Sequence, residues 1–154
     1  MRTKWLVLQC TGEYFGGKAI ELAGRVIDPE YQMRGIGRDM LKNFLTENPI
    51  SLLTSYTRNP AIIRMIQRVA DEVYPVEQSE FMRRTALQVP FASAADEAVY
   101  HLDRYGPEGL FRGSDPAENP LYKGGARLKE TYPALKSIRH ALVVAATINQ
   151  EKMT

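Results

Sequence analysis

The first half of the chain alternates between short apolar runs and a segment with helical periodicity. Residues 4–10, 19–27 and 50–56 are short and rich in β-forming side chains, which predicts three strands. Between the second and third strands, apolar residues recur at spacings of one and four. This spacing predicts an amphipathic helix that begins at Gly35 and ends near Asn48.

A second helix is predicted after the third strand. Asn59 is a favourable N-cap and Pro60 is tolerated in the first helical turn. Apolar positions continue at helical spacing to Val73, and Pro75 is expected to end the helix. The order strand, strand, helix, strand, helix over residues 1–75 predicts an α/β or α+β sheet with helices packed on it.

The remaining segments are less periodic. Residues 11–18 are rich in glycine and are predicted to form a turn. Residues 80–89 are predicted to be a strand, and residues 93–106 a helix with Asp96 in its capping position. Residues 106–127 contain many glycines and prolines and predict a long loop, whereas residues 138–148 have the β-branched character of a buried closing strand.

Composition sets broad limits on the kind of protein. The 154 residues fit a single domain, 44% of them are hydrophobic, and the net charge of +2 gives no reason to expect nucleic acid or a membrane surface as a partner. The single cysteine, Cys10, excludes an internal disulfide framework and favours a reducing, cytoplasmic location. One cysteine and two distant histidines make no metal-ligand pattern, so no metal site is predicted.

The stretch EYQMRGIGRDM, residues 30–40, places Gly35 and Gly37 immediately before the first helix. Glycine allows a positive φ, and a helix N-terminus presents amide groups and a positive dipole end to a phosphate. The spacing does not fit the P-loop, and Met40 replaces the last small residue of the dinucleotide fingerprint. From these glycines alone, a plain strand-to-helix turn remains the alternative interpretation.

Residues 26–37, VIDPEYQMRGIG, closely resemble motif A of the GCN5-related N-acetyltransferases (GNAT family). Gln32, Gly35 and Gly37 fill the family's [Q/R]-x-x-G-x-[G/A] positions, and the preceding IDPEY matches its hydrophobic-x-Pro-x-Tyr approach. Asn59 matches the asparagine that opens the family's motif B helix. The resemblance covers roughly residues 19–74. It implies a GNAT-like mixed, largely antiparallel central sheet flanked by helices, with acetyl-CoA as the acyl-donor cosubstrate.

The resemblance also implies how acetyl-CoA would bind. The backbone amides of residues 32–38 would hold the pyrophosphate, with Arg34 and Arg38 adding charge. The strand edge at residues 25–27 would pair with the pantetheine arm as an added strand does. An amide near Ile27 would then polarise the thioester carbonyl. The cofactor-binding residues implied in this way are Arg25, Val26, Ile27, Gln32, Met33, Arg34, Gly35, Ile36, Gly37, Arg38 and Asn59.

Glu21 is the candidate general base. Family members that acetylate lysines carry a glutamate eleven residues before the motif's Gln, and the position eleven residues before Gln32 is Glu21. An amine must lose a proton to attack a thioester, and a carboxylate among apolar neighbours has a raised pKa that suits this task. The alternative is that Glu21 faces solvent on a half-exposed strand.

The general acid departs from the family pattern. The family's tyrosine lies seven residues after the motif B asparagine, where this chain has Ile66. Tyr31, Tyr56 and Tyr74 are the substitutes, and spacing does not choose among them. Tyr56, in the third strand, is the candidate catalytic acid. A CoA thiol is in addition a tolerable leaving group because its pKa is far below that of an alcohol.

The acceptor side is the second departure. Only about twenty residues precede the second strand, so most of the family's N-terminal arm is expected to be absent. Either the C-terminal half, including residues 106–127, builds the acceptor wall, or a second copy supplies it in a homodimer. The expected function is transfer of an acetyl group to a protein lysine, an N-terminus or a small amine by direct attack. The alternative is a non-catalytic acyl-CoA-binding or interaction module with a degenerate site.

Overall fold

The computed structural model describes residues 4–14, 17–27, 32–109, 114–149 and 151. In these ranges the chain forms seven strands, four α-helices and three short 3₁₀ turns. The strands are β1 (Lys4–Tyr14), β2 (Gly17–Ile27), β3 (Leu52–Thr57), β4 (Glu72–Tyr74), β5 (Ala92–Ala95), β6 (Ala98–His101) and β7 (Ala141–Thr147). The helices are α1 (Ile36–Glu47), α2 (Pro60–Val69), α3 (Glu80–Leu87) and α4 (Gly125–Thr131), and the 3₁₀ turns are Pro116–Glu118, Pro120–Tyr122 and Pro133–Lys136.

The strands form one mixed sheet in the order β1-β2-β3-β7-β6-β5, with β4 paired to β7. β2 and β3 are parallel, and the other described pairs are antiparallel. β7 pairs with β3 along one edge, whereas β4 and β6 share its other edge end to end. The α+β fold class predicted from the sequence is therefore confirmed.

Apolar side chains cover both faces of the sheet. On one face, α1 and α2 bury Leu41, Leu45 and Ile66 against alternate residues of β3 and β7. On the other face, α3 packs Met82 and Ala86 against β4, β6 and the intervening positions of β7. Because β7 is buried on both faces, its near-continuous apolar sequence is explained.

The predicted helices α1 and α2 are confirmed, although α2 is shorter than expected. It ends at Val69, and the chain then extends so that Val73 pairs with Ala146 of β7. The sequence pattern counted Val73 as part of the helical face because it is apolar and correctly spaced. It is buried as a strand residue instead, since the open edge of β7 supplies backbone partners that a longer helix would leave unsatisfied.

Two predictions in the second half are wrong. Residues 80–89, expected as a strand, contain helix α3, whose N-cap Ser79 accepts a hydrogen bond from the Met82 amide. Residues 93–106, expected as a helix, contain the β5–β6 hairpin, and Asp96 lies in its turn with a φ of 54° rather than in a cap. Pairing with β7 outweighs the helical propensity of this alanine-rich stretch.

The predicted turn at residues 11–18 is also largely strand, because β1 continues to Tyr14 and β2 begins at Gly17. The predicted loop 106–127 is more ordered than expected, since it contains the 3₁₀ turns Pro116–Glu118 and Pro120–Tyr122 and the start of α4. The closing strand is confirmed as β7. Among the helices of the described ranges, none is both long and apolar enough to cross a membrane.

Candidate active site

The parallel strands β2 and β3 separate at their carboxyl ends. Their pairing covers four residue pairs, from Ala19–Leu52 to Leu22–Ser55. β2 nevertheless continues to Ile27 and β3 to Thr57. A β-bulge coincides with the separation, because the register of β2 with β1 passes from Leu22 to Gly24 and skips Ala23. The part of β2 beyond Leu22, which includes Arg25, Val26 and Ile27, pairs with β1 and has no partner on β3 in the described pairing.

Two helices begin at this end of the sheet. α1 follows β2 and α2 follows β3, so both N-termini lie near the carboxyl ends of the parallel strands, where open α/β sheets bind ligands. The turn into α1 is left-handed at Met33 (φ 61°) and Gly35 (φ 79°). The first bond of α1 runs from the Asp39 amide to the Gly35 carbonyl at 2.9 Å. The amides of residues 36–38 therefore form the N-terminal turn that can donate to an anion.

The side chains of this turn have mixed electrostatics. Met33 is 51% exposed, and Arg34 is also exposed. Arg38 forms an ion pair with Asp39 at 3.1 Å. The carboxylate of Asp39 therefore offsets part of the positive charge that Arg38 was expected to offer an anion. The helix dipole and the backbone amides remain the main source of positive potential here.

Gln32 is held by the long loop. The Tyr122 hydroxyl donates to Gln32 Oε1 at 3.0 Å. Arg64 of α2 donates to the Tyr122 and Lys123 carbonyls, the latter at 2.8 Å. Residues 120–123 therefore tie α2 to the turn that precedes α1. No pattern in the sequence indicates this link.

Asn59 caps α2 as predicted. Its side-chain Oδ1 accepts a hydrogen bond from the Ala61 backbone amide at 2.9 Å. The backbone amide of Asn59 donates to Thr57 Oγ1 at 2.9 Å. The side chain is buried at the carboxyl end of β3. The capping role is thereby accounted for, whereas a cofactor contact by Asn59 stays a prediction.

Glu21 and Tyr56 lie on one face of the sheet. Glu21 pairs with Thr54, and Tyr56 follows Thr54 by two residues, so the two side chains point to the same side. His101 joins them, because Tyr56 pairs with Val143 and His101 pairs with Ala141, again two residues away. With Tyr105, these residues form what we call the carboxylate–tyrosine cluster: Glu21, Tyr56, His101 and Tyr105.

Close contacts connect three members of the cluster. The Tyr56 and His101 rings have centroids 4.7 Å apart, and Tyr105 lies 6.1 Å from Tyr56. His101 Nδ1 is 2.9 Å from the Tyr105 hydroxyl. Sequence reasoning missed His101 as a site residue because it was assigned to a helix. The signal that could have found it is the short run AVYH after a polar turn, which is typical of a strand.

The environment raises the pKa of Glu21, Tyr56 and Tyr105, and the first two are the candidate acid–base pair. Burial raises the pKa of Glu21 above its usual 4.5, and the charge of Arg104 opposes this rise only in part. Burial also raises the pKa of the Tyr56 hydroxyl, the negative charge of Glu21 raises it further, and Arg104 again opposes. Because the charge of Glu21 raises the pKa of Tyr56, the carboxylate and the phenol interact electrostatically. Both groups are half-buried, so a substrate can reach them.

His101 is neutral at physiological pH. Its side chain is buried, and burial together with the charge of Arg104 lowers its pKa from 6.5 to about 4, with the Pro90 carbonyl opposing in part. Its Nε2 is buried without a hydrogen-bond partner among the described residues. A neutral imidazole can hold the Tyr105 hydroxyl in place without adding a charge to the cluster.

Of the other acid candidates, the structure describes Tyr74. Tyr74 is fully buried beneath α3, in a cluster with Met82 and Ala86. Tyr31 lies outside the described residues, as does Pro29 of the motif approach. Ile66, at the position of the family's tyrosine, is fully buried in the core between α2 and the sheet. Of the named tyrosines that the structure describes, Tyr56 is the one that meets Glu21.

Metal chemistry has no visible ligand set in the described part of the chain. No three His, Cys, Asp or Glu side chains there come close enough to hold an ion. The arrangement is one of acid–base groups beside a split pair of strands and two helix N-termini. Comparison with family models, with curated protein sequences and with solved structures gave no significant match to this chain.

Proposed function

We propose that the chain is an acyl-CoA-dependent N-acetyltransferase of the GNAT type. The observation that carries the proposal is the separation of β2 and β3 after Leu22–Ser55, with Glu21 and Tyr56 on one face beside it. The GNAT family, which residues 26–37 resemble, places the thioester between two such strands. The bulge at Ala23 and the left-handed turn into α1 support the same assignment.

The backbone of the chain offers two kinds of group to acetyl-CoA. The amides at the start of α1 suit a pyrophosphate, because they point outward at the positive end of the helix dipole. The edge of β2 at residues 25–27 suits the amides of the pantetheine arm, since β1 pairs with its opposite edge. Acetyl-CoA supplies the activated acyl group, and the protein positions it.

Glu21 would take the proton of the attacking amine. The nitrogen attacks the thioester carbonyl carbon, the N–C bond forms, the C–S bond breaks, and the amine proton moves to the Glu21 carboxylate. A raised pKa makes this carboxylate a stronger base than an exposed glutamate. Its place beside the split strands puts it next to the reacting carbon in this proposal.

Tyr56 would act on the leaving sulfur. Its raised pKa keeps the hydroxyl protonated, so it can donate a hydrogen bond to the sulfur as negative charge develops. A thiolate, whose conjugate thiol has a reference pKa of about 8.5, does not take a proton readily from such a phenol. Tyr56 therefore stabilises the departing thiolate by a hydrogen bond, and solvent completes its protonation.

The second candidate is a non-catalytic acyl-CoA-binding module. The observation that favours it is Ile66, which fills the position of the family's acid and is fully buried in the core. In this chain the acid would have to come from Tyr56 of β3 and not from position 66 of α2. The two candidates share the cofactor site and differ in the chemistry.

One experiment separates them. Acetyl-CoA is titrated against the full chain in a thermal unfolding assay, and CoA thiol release is then followed with a panel of amines against a blank without amine. The enzyme raises its Tm with acetyl-CoA and releases thiol with at least one amine. A rise in Tm without release for any amine supports the binding module, and no rise in Tm removes both.

The turn before α1 is tested by Gly35→Glu. The added carboxylate would lie at the helix N-terminus and repel a pyrophosphate, so acetyl-CoA should no longer raise the Tm. Gly106→Glu is the matched control, because Gly106 also has a positive φ and has open space around it. Binding that survives Gly35→Glu would contradict the assignment of this turn.

A further inference from the structure

A cleft of about 730 Å³ opens where β4 and β6 share the edge of β7. β4 pairs with residues 145–147 of β7, and β6 pairs with residues 141–142. Pro75 directly follows β4 and Ala98 begins β6, and both residues line the cleft. The end of α4 supplies the opposite wall through Thr131–Pro133. The cleft therefore arises from the split edge of the sheet.

The lining of the cleft is acidic and aromatic. Asp96 and Glu97, in the turn between β5 and β6, bring two carboxylates to it, and its lining includes no Lys, Arg or His. Tyr132 contributes an aromatic side chain at the end of α4. Apolar surface comes from Pro75, Val76, Ala98 and Pro133. This combination favours a cation that carries an apolar chain.

The Tyr100 hydroxyl is an independent indication of a ligand. Tyr100 is fully buried and lines the cleft, and its Oη has no hydrogen-bond partner in the described part of the chain. Burial raises its pKa, and the nearby Asp96 and Tyr132 raise it further, so the hydroxyl stays protonated. Buried hydroxyls are seldom left without a partner.

We propose that this cleft binds a small organic cation, a protonated primary amine on a short apolar chain. The ammonium group lies between Asp96 and Glu97, donates a hydrogen bond to the Tyr100 hydroxyl and contacts the Tyr132 ring. Its alkyl chain contacts the proline and valine surface. The site is separate from the carboxylate–tyrosine cluster, since Glu21, Tyr56 and His101 do not line it. The proposal therefore stands whether or not the chain is an acetyltransferase.

The test is a titration of the full ¹⁵N-labelled chain with butylammonium chloride at constant ionic strength. Butanol and butyrate are the neutral and anionic controls of the same chain length. Saturable shifts of backbone amides confined to residues 76–78, 96–98 and 131–132 are expected with butylammonium. Butanol should bind at least about threefold more weakly, because it lacks the charge. Shifts that do not saturate, that lie elsewhere, or that are equal for butanol would overturn the proposal.

Two variants test the named contacts. Asp96→Asn with Glu97→Gln should weaken butylammonium about three- to tenfold, and asparagine tolerates the positive φ at position 96. Tyr100→Phe should weaken it about threefold without lowering the unfolding midpoint, since the hydroxyl has no partner to lose. Asp39→Asn with Glu47→Gln, on exposed positions of α1, is the charge-matched control and should bind as the parent. Unchanged affinity in the double variant at positions 96 and 97 would refute the site.

Discussion

The Arg58 guanidinium donates two parallel hydrogen bonds to the Asp115 carboxylate, from Nε at 3.0 Å and from Nη2 at 2.8 Å. Arg58 is only 1% exposed, and its remaining donors reach the carbonyls of Leu135, Ser137 and His140. The pair thus fixes the loop after residue 113 against the end of β3. Every partner of Arg58 lies more than fifty residues away along the chain.

We expect Asp115→Ala to destabilise the protein by about 3–5 kcal/mol, because it leaves a buried guanidinium without its counter-charge. The free energy of unfolding from urea denaturation measures this. Asp39→Ala removes a carboxylate from an exposed ion pair and should change stability by less than about 1 kcal/mol. Similar losses in the two variants would contradict the structural role assigned to Arg58.

His101 should make stability depend on acid pH. Its folded pKa of about 4 lies below the ordinary 6.5, so the unfolded chain takes up the proton first. Stability is therefore complete above pH 6.5 and is lost as the pH falls from 6.5 toward 4, by up to about 3 kcal/mol. Urea unfolding at several pH values should show this loss in the parent chain and a smaller loss in His101→Gln. Equal pH dependence in both would count against a buried, neutral His101.

Glu21 and Tyr56 should affect turnover and leave acetyl-CoA binding unchanged. With an amine that is turned over, Glu21→Gln should lower kcat by about 10²–10⁴ and remove the acid limb of the rate profile. That limb lies above pH 4.5, because burial raises the Glu21 pKa. Tyr56→Phe should lower kcat about tenfold, as expected for one lost hydrogen bond to a developing charge.

The measurements are steady-state kinetics against pH and the Tm with acetyl-CoA. Glu47→Gln, an exposed change on α1, is the matched control and should keep the parent's profile. Parental kcat in Glu21→Gln would exclude this residue as the base. A loss of acetyl-CoA binding in either variant would instead indicate a structural role.

Gly125 should not tolerate a side chain. A Cβ at this position would lie 1.6 Å from the Ala117 carbonyl oxygen, so α4 would have to move away from the 3₁₀ turn at Pro116–Glu118. Gly125→Ala should therefore cost about 2–3 kcal/mol or more. Gly106→Ala meets no atom within 4 Å and should cost only about 1 kcal/mol, from its positive φ. Urea denaturation compares the two variants, and a smaller loss at Gly125 would contradict this packing.

The local signals in the sequence were reliable where one element explains them. Asn59 before Pro60 predicts a helix start because a side-chain oxygen and a fixed φ act within one turn, and the structure has both. The glycines at positions 35 and 37 likewise predict a turn into a helix. They do not say which ligand, if any, that turn binds.

The errors occur where a distant partner decides the local structure. Residues 98–101 are a strand because β7 offers its edge, and Val73 leaves a predicted helix for the same reason. His101 thereby came to face Tyr56, a contact that no spacing between positions 56 and 101 encodes. Glu21 was chosen as a candidate base because it lies eleven residues before Gln32 in the sequence, as in the family it resembles. Its electrostatic contact with Tyr56 follows instead from the register of β2 with β3.

The sequence by itself thus determined the first three strands, helix α1 with the turn that precedes it, and the start of α2, and the resemblance to motif A led to Glu21 as a candidate base. Periodicity, caps and turn residues act within a few residues, so they can be recognised without a partner. Only the tertiary structure decided the carboxylate–tyrosine cluster, the Arg58–Asp115 pair and the acidic cleft. Each of these depends on strand register or loop packing between residues far apart in the chain, and such contacts leave no periodic trace in the sequence.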